Sequence, residues 1–161
     1  MAKWLRLAGL VIVLDQLSKW VIVANLTFAQ RIPLLPFFDL TLLYNKGAAF
    51  SFLAESSGWQ RLFFIAVAFI AIAVILVLMR RHAGQTRFLL ALSLILGGAI
   101  GNVIDRIFLG HVVDFILLHW DGWYYPAFNI ADSAITLGAI LLIWDEWRRW
   151  RQSKTKSPSQ S

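Results

Sequence analysis

The stretch GHVVDFILLHWDGWYYPAFNIADS, Gly110 to Ser133, decides how this chain is arranged. Two of its aspartates, Asp114 in VVDF and Asp132 in NIADS, sit among residues that would be content in lipid. Gly110, Gly122 and Pro126 punctuate the segment, and Trp120, Trp123, Tyr124 and Tyr125 crowd its middle. It therefore reads as a connection between two apolar runs, lying along a membrane interface with its rings at headgroup level.

The flanking sequence supports that reading. Hydrophobic residues make up 59% of the 161 and charged residues 15%, and the mean hydropathy is +0.68, outside the balance of a soluble domain. Four apolar runs are long enough for a helix to cross the hydrocarbon, which needs ~20 residues: 5–26, 62–79, 88–108 and 130–150. These leave no room for a separate soluble domain, so 1–161 is read as one integral membrane unit. Its outer cradle spans 27–60 and a polar tail 151–161. The first run is read as a retained span, because no small-x-small cleavage pattern follows its apolar core. The chain has no cysteine, which excludes disulfides and thiolate chemistry.

Charge sets the orientation. Lys3 and Arg6 precede the first run, Arg80, Arg81 and Arg87 separate the second from the third, and Arg148, Arg149, Arg151, Lys154 and Lys156 follow the fourth. Four crossings put all of these on one side, which the positive-inside rule makes the cytoplasm, together with both termini. The net charge of +6 is thus a topology signal, and no nucleic-acid partner is expected. Elaboration falls on the opposite face. There Pro33 and Pro36 stop the first helix from continuing, and Phe37 to Leu53 has the β-branched and aromatic content of strands, with Asn45, Lys46 and Gly47 as a turn.

Polar residues gather near that outer face. Asn102, Asp105 and Arg106 stand at the end of the third run, spaced to share a helix face. Asn129 precedes Asp132 by three residues and is placed to cap the fourth helix. Asp15 and Lys19, four apart in the first run, are placed for an intrahelical pair. Gly97 and Gly101 make a small-x-x-x-small step that permits close helix contact, either as packing alone or as packing that also leaves room for a substrate. Ionisable groups in such surroundings need partners and commonly mark functional sites.

Two facing carboxylates, Asp114 and Asp132, share a proton when like charge and desolvation separate their titrations. The ionised member takes a proton from water while the protonated one polarises a scissile carbonyl, and no metal is required. The sequence does not divide these roles between the two. His82, His111 and His119 form no HExxH, so neither a zinc site nor any other cofactor is expected. A serine nucleophile has only Ser18 beside Lys19 as a base pairing.

LDQLSK at Leu14 to Lys19, YNKGAAFSF at Tyr44 to Phe52, GNVIDR at Gly101 to Arg106, VVDF at Val112 to Phe115 and FNIADS at Phe128 to Ser133 together resemble the signal peptidase II, or lipoprotein signal peptidase, family of bacteria. The resemblance covers nearly the whole chain. It implies a bacterial inner-membrane aspartic endopeptidase that removes the signal peptide of a prolipoprotein whose lipobox cysteine carries diacylglycerol, with its active site near the periplasmic interface. It assigns catalysis to Asp114 and Asp132 and support or substrate binding to Asp15, Asn45, Asn102, Asp105, Arg106, Asn129 and Gly101. The implied partners are diacylglyceryl-prolipoprotein, membrane phospholipids and globomycin-type peptide inhibitors. The implied fold is an all-α membrane protein of four transmembrane helices, with a small outward β-sheet cradle and an interfacial helix in the later outer connection. Two alternatives compete: a membrane transporter or channel using the intramembrane carboxylates, and an assembly subunit in which Asp114 and Asp132 act only as caps.

Overall fold

The computed structural model describes residues 1–47 and 59–155. Sequence expectations for Phe37 to Leu53 and the YNKGAAFSF motif therefore fall partly outside the described residues, from Ala48 onward.

Four helices dominate: α1 (Ala2–Asn25), α2 (Trp59–Arg81), α3 (Thr86–Phe108) and α4 (Ile130–Thr155). Among the described residues three helical segments, Ala2–Asn25, Arg61–Arg81 and Thr86–Phe108, are long and apolar enough to cross a membrane. In α4 the apolar run is bounded by Asp132 at one end and by Asp145 and Glu146 at the other.

Glycines fix how the helices meet. A Cβ on Gly97 would lie 2.7 Å from the Ala8 carbonyl and 2.7 Å from Val11 Cβ, and one on Gly101 would lie 2.6 Å from Asp15 Oδ2. A Cβ on Gly98 would strike the Ala131 carbonyl oxygen, and one on Gly138 would lie 2.7 Å from the Ala91 carbonyl. The order of these contacts makes α1 parallel to α3 and α4 antiparallel to it, with backbones touching as small residues allow. Helix packing fills the space beside Gly97, Gly98 and Gly101, so of the two readings of these glycines the structure favours packing alone. At the end opposite the polar residues, Trp4, Ala8, Ile75, Met79, Leu89, Leu92 and Leu96 form an apolar core.

The interfacial helix expected between α3 and α4 is replaced by strands. β1 (Arg31–Leu35), β2 (Phe38–Asn45), β3 (Val112–Trp120) and β4 (Trp123–Tyr124) form an antiparallel sheet in the order β1-β2-β3-β4. Val112, Val113, Phe115 and Ile116 favour the pleated surface, and β2 supplies the backbone partners, Asn45 facing Val112 and Leu43 facing Asp114. Pro33 is tolerated because β1 is an edge strand with a register break beside it. Asp121 and Gly122, at φ 46° and 80°, close the β3–β4 hairpin between the paired Trp120 and Trp123. The sheet seats itself on α1 through Ile22, Leu42, Val113 and Phe115.

Candidate active site

α1, α3, α4 and β3 converge on a buried polar cluster whose centre is Lys19. Its Nζ lies 2.8 Å from Asp15 Oδ2, 2.9 Å from Asp105 Oδ2 and 3.0 Å from Asn102 Oδ1. An ammonium has three protons, and all three are used. Lys19 is 3% exposed, Asp15 0% and Asp105 2%, so the charges are held by one another and by directed donors. Asp15 Oδ1 accepts the Ala131 N–H at 2.9 Å, satisfying a first-turn amide of α4. Asp105 Oδ2 accepts the Val113 N–H at 3.0 Å, pinning the start of β3 to α3. Gln16 Nε2 donates to Asp105 Oδ1 at 2.9 Å and reaches the Gly101 carbonyl at 3.2 Å. The expected Asp15–Lys19 pair exists, as one edge of this larger network.

From that cluster a chain of amides leads to the two aspartates. Asn102 receives Lys19 on Oδ1 and donates through Nδ2 to Asp132 Oδ1 at 2.7 Å. Asn129 sits just before α4, tethered to β3 by backbone bonds between Phe128 and Ile116. Its Oδ1 accepts the Asp132 N–H at 2.9 Å, while Asp132 Oδ2 lies 3.4 Å from the Asn129 N–H, a reciprocal cap at the helix start. Its Nδ2 lies 2.8 Å from Asp114 Oδ1 and 3.2 Å from both Asn102 Oδ1 and the Val113 carbonyl. One residue thus bonds both Asp114 and Asp132. On the other side of Asp114, Asn45 Nδ2 donates to Oδ2 at 3.0 Å, and its own Oδ1 accepts the Gly47 N–H at 2.8 Å.

Every candidate residue named from the sequence lies in or beside this assembly. Asn45, Asn102 and Asn129 each direct an amide N–H at one of the two aspartates. Gly101 is where Asp15 approaches the α3 backbone. Arg106 stacks over Phe64 of α2 at 5.2 Å and acts electrostatically on Asp132, Asp114 and Asp105. Sequence reasoning left out Lys19 as the hub, Gln16 as a bridge and Gly98 as the α3–α4 contact. The signal for Lys19 was its place in LDQLSK, a turn beyond Asp15 inside an apolar run.

Asp114 is 2% exposed, and desolvation pushes its carboxyl up from 3.8 to about 6. The Asn45 and Asn129 donors oppose that rise, and the nearby Asp132 charge adds to it. Two cavities border the pair. One of about 440 Å³ reaches Asp132 and is lined by Leu118, Tyr125, Phe128, Ser133, Thr136 and Leu137. The other, about 410 Å³, reaches Asp114 and Asn45 and is lined by Phe28, Leu43, Tyr44, Pro126 and Ala127. Neighbouring residues of one segment line both, Phe128 the first and Pro126 and Ala127 the second.

Competing chemistries find less support. The Ser18 hydroxyl donates to the Asp15 carbonyl at 2.8 Å and the Lys19 ammonium is fully engaged, so no serine–lysine couple forms. Among the described residues no three His, Asp or Glu side chains cluster as metal ligands do.

The sequence profile described as Signal peptidase (SPase) II matches residues 7–148. A lipoprotein signal peptidase of Burkholderia vietnamiensis (strain G4 / LMG 22486) is 53% identical over 154 residues, covering 96% of this chain and 93% of its own. The lipoprotein signal peptidase of Janthinobacterium sp. (strain Marseille) is 53% identical over 149 residues, covering 92% and 90%. A bacterial membrane enzyme solved by the in meso method superposes with a TM-score of 0.82 at 33% identity, covering 90% of this chain and 92% of that one. A second enzyme so described gives 0.82 at 30% identity, covering 100% and 95%.

Proposed function

The chain belongs to the signal peptidase II family, and we propose that it cleaves the signal peptide of diacylglyceryl-modified prolipoproteins immediately before the lipidated cysteine, using Asp114, Asp132 and a water. It is accordingly a peptidase of a bacterial membrane. The observation that carries the mechanistic reading is the bonding of both carboxylates by Asn129, which holds two ionisable groups at one place and tunes them together. Asp132 borders the larger cavity and Asp114 the smaller, so a peptide laid across the Pro126–Phe128 segment would present its carbonyl between them. The reaction needs no metal in this reading.

The same reading orients the protein. With α4 as the fourth crossing, both termini and the arginine-rich ends are cytoplasmic, and the aspartates lie near the periplasmic interface of the inner membrane. Exposed Trp120 and Trp123 at the hairpin tip suit headgroup contact. A diacylglyceryl group then stays in lipid while its peptide bond meets the carboxylates. Globomycin-type cyclic peptides fit the same cleft as inhibitors. Transport is disfavoured because the charged network sits at one end of the bundle and an apolar cluster fills the other.

The test is hydrolysis of a diacylglyceryl-modified lipobox peptide by purified protein in detergent. Wild type is expected to cleave with chelator present, and folded Asp114→Asn and Asp132→Asn are each expected to lose turnover. Near-normal turnover by either variant would remove the two-aspartate reading.

A further inference from the structure

The two aspartates are not equivalent in their surroundings, and obligate donors fix the difference. Lys19 only donates, so Asn102 must turn its Oδ1 toward Lys19 and its Nδ2 toward Asp132 Oδ1. The Gly47 and Asp132 backbone N–H groups likewise only donate. They fix Asn45 and Asn129 with their Nδ2 atoms toward Asp114. Asp114 therefore has a short donor on each oxygen, at 3.0 and 2.8 Å, whereas Asp132 has one on Oδ1 and only a 3.4 Å contact on Oδ2.

Resting on the aspartic-peptidase reading above, we infer that Asp132 is the ionised base, with Oδ2 receiving the proton of the attacking water, and that Asp114 is the proton-bearing acid.

A base needs an acceptor oxygen open to water, and Asp132 Oδ2 is the least engaged oxygen of the pair, on a residue that borders the 440 Å³ cavity. Asp132 also stands in the first turn of α4, where the helix dipole favours negative charge. Of the surrounding charges, Arg106 favours the Asp132 anion most, while Lys19 favours the Asp114 anion and is outweighed there by burial. Arg106 of α3 acts on both aspartates, Asp132 ahead of Asp114, and Asp105 lies within its reach. Lys19 of α1 acts on Asp114, with its charge shared among Asp15, Asp105 and Asn102. The β2 side chain that bonds Asp114 is the neutral Asn45. Buried Asp114, pushed up to about 6, is the better holder of the shared proton.

In the reaction, the water oxygen bonds to the scissile carbonyl carbon as one water proton passes to Asp132 Oδ2, and Asp114 gives its proton to the carbonyl oxygen. On collapse the C–N bond breaks, Asp132 returns its proton to the leaving nitrogen, and a hydroxyl of the tetrahedral carbon returns one to Asp114 as C=O reforms. Both side chains end as they began.

The pH dependence of kcat/KM on a lipidated lipobox peptide tests the division of roles. Asn102→Ala removes the short donor on Asp132 and is expected to move the acid limb up by about one pH unit. Asn45→Ala removes a donor from the Asp114 anion and is expected to move the alkaline limb up by a similar amount. Swapped limbs, or limbs that stay put in both variants, would overturn the assignment. Should Asn102→Ala not fold, Asn45→Ala decides alone: an alkaline-limb shift supports the inference, and an acid-limb shift or none refutes it. Failure of the aspartic reading itself is separate, because it appears as turnover in Asp114→Asn or Asp132→Asn.

Discussion

Replacing Asp114 by asparagine should inactivate the protein and stabilise it, and the stabilisation should depend on pH. In the fold the Asp114 carboxyl is raised from 3.8 to about 6, chiefly by burial. Between those values the folded state binds a proton that the unfolded chain does not. Stability is therefore highest below the unfolded value, falls as pH rises toward 6, and is level above it. The rise of about two pH units corresponds to about 3 kcal/mol of destabilisation by the ionised group at pH 8. Asp114→Asn removes that charge, but its own NH2 then faces the Nδ2 of Asn45 or Asn129, at a cost of about 1 kcal/mol for the mismatched donor. The net gain is about 2 kcal/mol at pH 8, or about 4–8 °C in Tm for a chain of this size. At pH 4 and below the gain vanishes or reverses. Thermal melts of wild type and variant in one detergent, at one scan rate and across this pH range, give the comparison. An equal or lower Tm for the variant at pH 8, or a difference that does not change with pH, would refute the claim that burial of charge at Asp114 destabilises the fold.

Other expectations follow from the same geometry. Lys19→Met leaves Asp15 and Asp105 as buried unpaired carboxylates and should cost about 3–5 kcal/mol, seen as loss of folded monodisperse protein; a Tm near wild type would show that the network carries little stability. Gly98→Ala drives a methyl into the Ala131 carbonyl and should cost about 1–3 kcal/mol. Gly84→Ala meets nothing within 4 Å and serves as the near-neutral control in the same melts. With Asp114 as the acid, kcat/KM should fall as pH rises through about 6, because the free protein then loses the required proton. A profile still rising above pH 7 would contradict that.

Much of the site was legible because its chemistry is carried by local signals. Asn129 three residues before Asp132 spells a helix start, and the reciprocal bonds found there are the ones that spacing implies. Asp15 and Lys19 four apart spell a helical pair, which forms. Carboxylates in apolar surroundings demanded partners, and the chain order of the motifs named the family. The interfacial helix that the family resemblance implies for the segment from Leu109 to Asn129 gives way to a hairpin whose signal is in the sequence, Asp121–Gly122 between two tryptophans. Even so, β3 acquires its main partner from β2, some seventy positions earlier, and strand pairing at that distance leaves no periodic trace in either segment.

The sequence by itself determined the membrane class, the family, the gathering of the polar residues toward one end of the helices and the cap at the start of α4. Composition, helix spacing and short-range hydrogen-bond chemistry act within a few residues and can be read there. The tertiary structure alone decided that Lys19 is the hub, that Gly97, Gly98 and Gly101 are filled by other helices, and that Asn45, Asn102 and Asn129 give the two carboxylates different surroundings. Each of these depends on which way an ammonium or an amide must turn to meet partners on other elements, and that is fixed only when α1, α3, α4 and the sheet are brought together.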